Sequence, residues 1–133
     1  TPIKSSAASD VYKRQRIRRL QVMLHEMRLK PDPFEEIEAG KKKIEFRLWD
    51  EKRRLIKPGD KILFTNTDTG QNILTYVVDI HKADSFVQLK EVLVKKNLIE
   101  ENDFEPSTML KYYSSEEEKE YGVVGVEIAL LSD

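Results

Sequence analysis

The sequence contains no cysteine and only two histidines among its 133 residues. The absence of cysteine excludes disulfides, thiolate metal ligands and cysteine nucleophiles. The histidines, His25 and His81, are 56 positions apart, which disfavours a histidine-rich metal site, although carboxylates could still hold a hard cation. No apolar run approaches the roughly 20 residues of a membrane span, and no apolar signal-peptide segment is present. We therefore expect one soluble, cytoplasmic domain with no metal, no cofactor and no membrane partner.

Charge is distributed unevenly along a chain whose formal net charge is −1. Residues 1–22 contain six basic side chains and one acidic side chain, whereas residues 23–133 contain 17 basic and 23 acidic ones. A basic arm on an acidic body is one form of nucleic-acid-binding tail. The stretch from Ser5 to Asp10 is small, polar and without periodicity, which favours a non-native or disordered leader instead. We predict that residues 23–133 form the folded domain.

Strand and helix patterns follow one another along this body. Alternation of apolar and polar residues predicts strands at residues 23–29, 44–49, 62–64, 73–80 and 123–128. Capping residues predict short helices that begin at Asp32, Ser85 and Ser114, and residues 97–108 look irregular. Hairpin-connected strands with helices inserted at the ends predict an α+β fold, in which the sheet curls towards a small β-barrel flanked by short helices.

The densest group of reactive side chains lies at the second predicted strand. Glu45 and Arg47 are two residues apart, so a strand places them on one face, and Lys42 lies where the preceding helix joins that strand. An ammonium, a carboxylate and a guanidinium together suit the binding of a phosphate, a sugar or a base edge. They also suit acid–base chemistry if the lysine is desolvated. The alternative is a solvated strand face with an ordinary Glu–Arg pair.

The same residues carry a resemblance to a known family. Residues 33–37 (PFEEI), the pattern Gly40-Lys41-Lys42 followed by Glu45-Phe46-Arg47, the segment Gly59–Phe64 and the terminal residues 121–126 (YGVVGV) resemble an ASCH domain. ASCH domains belong to the PUA-like superfamily of small β-barrels. The resemblance implies an open barrel with a cleft that contains Lys42, Glu45 and Arg47, and it implies binding of RNA or of a nucleotide.

One branch of similar proteins implies a different activity. Its members are small amidohydrolases that remove the acetyl group of N4-acetylcytidine with a lysine, a threonine three positions later and a separate glutamate. This chain retains the lysine as Lys42 but has Glu45 at the threonine position. If the protein is an enzyme, Lys42 and Glu45 are the candidate catalytic residues, with the second acid not placed.

Several other side chains are weaker candidates. Asn66 and Thr65 end a predicted strand and are candidates for lining the cleft. Tyr112 and Tyr113 are adjacent, so we expect at most one of them to face a ligand, with Tyr113 as the candidate binder. For the remaining candidates structural roles are favoured: a turn for Asp60, an edge-of-core position for Trp49 rather than base stacking, and a surface position for His81 rather than that of a general base. His25, in the first strand, is given no functional role.

The leading hypothesis is a binding module that recognises RNA or a nucleotide or nucleoside through Lys42, Glu45, Arg47, Asn66 and Tyr113. An acidic body argues against sequence-blind binding of duplexes, which requires a broad basic surface. A few unpaired nucleotides suit a local basic cleft better. A small amidohydrolase for modified nucleosides is the alternative, and a protein-interaction adaptor is a third class. The ligand and the oligomeric state stay open.

Overall fold

The computed structural model describes residues 22–131. Its regular elements, in chain order, are β1 (Leu24–Leu29), α1 (Pro31–Glu38), β2 (Ile44–Leu48), β3 (Lys61–Asn66), β4 (Asn72–Ala83), α2 (Phe86–Lys95), α3 (Ser115–Tyr121) and β5 (Val123–Leu130). Three short 3-10 helices, Arg53–Leu55, Glu101–Asp103 and Pro106–Lys111, lie in the connections. The order of strands and helices confirms the prediction from the sequence.

The strands form one curled, mixed sheet in the order β1-β3-β4-β5-β2. β1 runs parallel to β3, and the other pairs are antiparallel. β1 and β2 are the two edges, and the Arg47 side chain on β2 reaches across the gap to donate to the Arg28 carbonyl oxygen on β1 at 3.1 Å. The sheet is therefore a half-barrel with helices on it, which confirms the predicted α+β, PUA-like architecture.

Two apolar cores lie on the two faces of this sheet. The concave face packs against α1, whose Phe34 and Ile37 are buried in the same cluster as Val124 and Val126 of β5. The outer face packs against Phe86, Leu89 and Leu93 of α2. A Cβ at Gly125 would lie 3.0 Å from Ile44 Cγ2. The glycine therefore lets α2 and the side chains of β2 approach β5 closely.

Local signals at helix ends are confirmed in two of three cases. The Ser85 side chain accepts from the Gln88 amide, and Ser114 forms the capping box of α3 with Glu117. The start predicted at Asp32 is wrong. α1 begins at Pro31 after an extended Lys30, and no side chain caps it, because proline itself fits the first helical position.

The sequence predicts an irregular segment after α2, and the structure has two 3-10 helices there. These helices are too short to produce a recognisable periodicity of apolar residues. Among residues 22–131, no helix is both long enough and apolar enough to cross a membrane. The predicted leader, apart from Val22, lies outside the described residues.

Candidate functional site

A cleft of about 1080 Å³ opens along the gap between the two sheet edges. β2 and the residues before it, Lys41–Lys43, form its floor. One wall comes from the end of β1 and the start of α1, and the other from residues 98–113 with their 3-10 helices. The cleft therefore depends on the open side of the half-barrel.

Three of the predicted site residues meet on this floor. Glu45 and Arg47 lie opposite Val126 and Val124 of β5, which places both on the concave face. Glu45 is only 3% exposed. Its Oε1 lies 3.1 Å from Lys42 Nζ and its Oε2 lies 3.2 Å from Arg47 Nη2. The three side chains thus form one cluster in which one buried carboxylate holds two cations.

The guanidinium of Arg47 is fixed on more than one side. It bonds to Glu45 and to the Arg28 carbonyl, and it lies beside the Tyr113 hydroxyl. Burial opposes its charge, but the carboxylate and the tyrosine outweigh that effect and hold the pKa of Arg47 above its ordinary value. A charged, planar and pre-oriented group is thus available at the floor of the cleft.

The main chain of β2 adds unpaired polar groups to the same floor. The Lys43 carbonyl accepts from the Ile128 amide at 2.8 Å, and the Trp49 amide donates to the Gly122 carbonyl at 3.0 Å. In an antiparallel pair, the main-chain groups of successive residues point alternately towards the partner strand and away from it. Lys43 and Trp49 point towards β5, so the N–H and C=O groups of Ile44 and Phe46 point away from it. Within the described part of the chain no strand pairs with that edge. Both residues line the cleft.

Aromatic side chains shape the wall opposite α1. The Phe46 ring stacks on Phe104 with centroids 3.8 Å apart, and Tyr113 stacks on Phe86 at 6.1 Å. Tyr112 is 57% exposed, and its ring lies 5.5 Å from Lys30 Nζ across the mouth of the cleft. Tyr113, the candidate binder, is therefore the tyrosine that packs, and Tyr112 is the exposed one. The Phe46–Phe104 contact was not anticipated, because nothing in the sequence links two phenylalanines 58 positions apart.

The lining of the cleft is basic although the body is acidic. Seven basic and three acidic side chains line it. The basic ones are Arg28, Lys30, Lys41, Lys42, Lys43, Arg47 and Lys111, and the acidic ones are Glu36, Glu45 and Asp103. Positive charge concentrated in a concave surface attracts anionic ligands.

Other predicted residues lie elsewhere or have structural contacts. Asn66 is buried outside the lining of this cleft, and its side-chain oxygen accepts from the amides of Asp68 and Thr69 in the β3–β4 turn. The Thr65 hydroxyl donates to Asn72. Trp49 packs against the concave core, with Lys82 Nζ 5.4 Å from its ring.

Asp60 joins the start of β1 to the turn before β3. Its carboxylate accepts from the Met23 and Lys57 amides and lies 2.8 Å from His25 Nε2. Burial would raise its pKa, but these hydrogen bonds hold the pKa of Asp60 below its ordinary value. Its place in a turn agrees with the prediction.

The prediction that His81 is a surface residue is wrong. The side chain is on the outer face of the sheet, and the residue is only 4% exposed. A register shift in β4 between Val77 and Asp79 turns this part of the strand towards α2. Single-sequence alternation cannot place such a shift, because a bulge adds one residue without a characteristic pattern.

Comparison with known proteins identifies the family. The sequence model of the family described as the ASCH domain matches residues 27–132, which is most of the chain. The chain belongs to the ASCH domain family. No curated protein matches the sequence.

Solved structures include close relatives of this ASCH domain. The crystal structure of hypothetical protein PH0355 is 40% identical, with a TM-score of 0.66, and the match covers 82% of this chain and 100% of that one. The solution NMR structure of protein PF0455 from Pyrococcus furiosus is 39% identical, with a TM-score of 0.60 and coverage of 84% and 100%. The crystal structure of a variant of ZmASCH from Zymomonas mobilis is 19% identical, with a TM-score of 0.52, and shares the fold. That match covers 83% of this chain and 68% of the ZmASCH chain.

Proposed function

We propose that this ASCH domain binds single-stranded RNA or a nucleotide in the cleft along the free edge of β2. The observation that carries the proposal is the concentration of seven basic side chains, against three acidic ones, in a concave site on an acidic body. The ASCH family has a PUA-like fold that is often associated with RNA binding. The cleft is local and flanked by walls, which suits a few unpaired nucleotides rather than a duplex.

In this proposal the anion contacts Arg47 and Lys42. Arg47 presents a planar fork of donors, and Lys42 contributes a flexible ammonium with a side chain 22% exposed. Each oxygen of Glu45 already holds one of these cations. Glu45 therefore positions the two cations, rather than accepting from a base amino group.

The base is held by groups that do not depend on side-chain charge. The N–H and C=O groups of Phe46, which pair with no strand in the described part of the chain, offer a donor and an acceptor side by side, which matches the edge of a nucleobase. The exposed ring of Tyr112 offers a stacking surface at the mouth. Tyr113 lies beside Arg47 and helps to fix the guanidinium.

The test is a titration of a fluorescently labelled, short single-stranded RNA followed by anisotropy, with wild type, Arg47→Lys and Arg54→Lys. Arg54 is an exposed arginine outside the lining of the cleft and serves as the matched control. We expect Arg47→Lys to weaken binding by about 1–3 kcal/mol, because lysine lacks the bidentate fork. We expect Arg54→Lys to bind as wild type does.

Two results would contradict the proposal. One is the absence of saturable binding of either the RNA or a mononucleotide by wild type. The other is equal weakening by both substitutions, since general loss of surface charge would then explain the affinity. A duplex of the same sequence, used as competitor, is expected to compete poorly.

A further inference from the structure

A second group of polar side chains lies on the outer face of the sheet, away from the cleft. The register shift in β4 places Asp79 opposite Glu127 and His81 opposite Gly125 on β5. All three side chains consequently share one face. One ligand-type atom from each of Asp79, His81 and Glu127 lies within 4.8 Å of the other two.

The histidine is buried and its orientation is defined. Its Nε2 lies 2.9 Å from Glu127 Oε1, and Lys96 Nζ, just after α2, lies 3.2 Å from its Nδ1. A lysine ammonium only donates, so Nδ1 accepts and the ring proton lies on Nε2. The imidazole thus directs Nε2 at the Glu127 carboxylate, and Lys96 is the one cation on the group among the described residues.

We propose that Asp79, His81 and Glu127 bind a zinc ion, with water in the remaining coordination position and with Lys96 competing against the metal. One imidazole nitrogen and two carboxylate oxygens are a ligand set that suits zinc, whereas magnesium and calcium prefer more oxygen ligands. Tetrahedral bonds of 2.0–2.1 Å place ligand atoms about 3.3 Å apart. The contact of 2.9 Å between His81 and Glu127 needs only a small opening to reach that separation.

Lys96 determines when this site can be occupied. Zinc on Nε2 moves the ring proton to Nδ1, where the Lys96 ammonium can no longer donate. Lys96 must then turn towards solvent, where an exposed residue at the end of a helix is free to go. When the Lys96 ammonium moves away, the electrostatic repulsion between its positive charge and the zinc dication is also removed.

The first test measures zinc affinity by calorimetry for wild type, Asp79→Asn, Lys96→Met and Glu26→Gln. Asp79 is exposed, so its substitution leaves the core intact, and Glu26 is an exposed carboxylate on β1 that serves as control. We expect one zinc per chain in wild type, binding weakened about tenfold or more by Asp79→Asn, and no change with Glu26→Gln. Lys96→Met is expected to tighten binding about tenfold or more.

The second test observes the histidine ring directly by 15N NMR, which is simple because the sequence has two histidines. Zinc should move the ring proton of His81 from Nε2 to Nδ1 and leave His25 unchanged. Three results would each overturn the proposal: no stoichiometric binding by wild type or Lys96→Met, zinc binding insensitive to Asp79→Asn, or an unchanged His81 ring with zinc bound.

Discussion

Two carboxylates are buried among residues 22–131, and they are stabilised in different ways. Glu45 is 3% exposed and pairs with the flexible side chains of Lys42 and Arg47. Asp60 is 5% exposed and accepts from the main-chain amides of Met23 and Lys57 as well as pairing with His25. The first carboxylate faces a cleft, whereas the second joins two segments of the fold.

The difference separates a positioning role from a structural one. Side-chain cations can leave Glu45 for a ligand or for water, so the group is adjustable and suits a binding site. Main-chain amides cannot leave Asp60 unless β1 and the turn before β3 move apart. We therefore expect stability to depend mainly on Asp60 and ligand affinity mainly on the partners of Glu45.

The largest expected effect on stability is that of Asp60→Asn. Both oxygens of Asp60 accept N–H bonds, so the amide group of asparagine must face a donor wherever it is placed. We expect the free energy of unfolding in urea to fall by about 1–3 kcal/mol, with RNA affinity unchanged. The single tryptophan, Trp49, reports unfolding by its fluorescence. Unchanged stability would contradict the structural role of Asp60.

The pH dependence of stability sharpens the same point. The pKa of Asp60 is lower in the folded protein than its ordinary value of 3.8. Its contribution is therefore fully present above that pH and is lost as the pH falls through the folded-state pKa. We expect the stability difference between wild type and Asp60→Asn to narrow below about pH 4. Urea unfolding of both proteins at several pH values measures this stability difference. A difference that widens towards acidic pH would contradict the lowered pKa of Asp60.

A smaller effect on stability is expected for Glu45→Gln. The substitution leaves two cations without their counter-charge, but both Lys42 and Arg47 retain access to water. We expect a loss of about 1–2 kcal/mol in the free energy of unfolding. We also expect a steeper salt dependence of RNA binding, because the cleft becomes more positive. A stability loss greater than that of Asp60→Asn would reverse the comparison between the two carboxylates.

Local features of both regions could be predicted from sequence, and their long-range partners could not. The spacing of Glu45 and Arg47 predicts a shared face because side chains alternate along any strand. The bond from Arg47 to the Arg28 carbonyl depends on the curl of the sheet, which brings the two edge strands together.

The outer face shows the same limit. The distance in sequence between the two histidines disfavours a histidine-rich metal site. It carries no information on the carboxylates of Asp79 and Glu127, which flank His81 only in the folded sheet. That neighbourhood depends on the register of β4 against β5 and on the shift after Val77. Pairing register is a tertiary property, since one residue of slippage exchanges the two faces of a strand.

The smallest effect on stability is expected for Lys42→Met, which tests whether the cations of Glu45 are individually dispensable for folding. Arg47 remains within 3.2 Å of the carboxylate, and Lys42 is a partly exposed partner whose pairing contributes little in the presence of water. The free energy of unfolding should therefore change by less than about 0.5 kcal/mol. RNA affinity should fall, because the phosphate contact proposed for Lys42 is lost. Lys61→Met, at an exposed lysine of β3 outside the cleft, is the matched control and should leave RNA affinity unchanged. If Lys42→Met instead lowers stability as much as Asp60→Asn does, the cluster on β2 holds the fold together, and the distinction between the two carboxylates is lost.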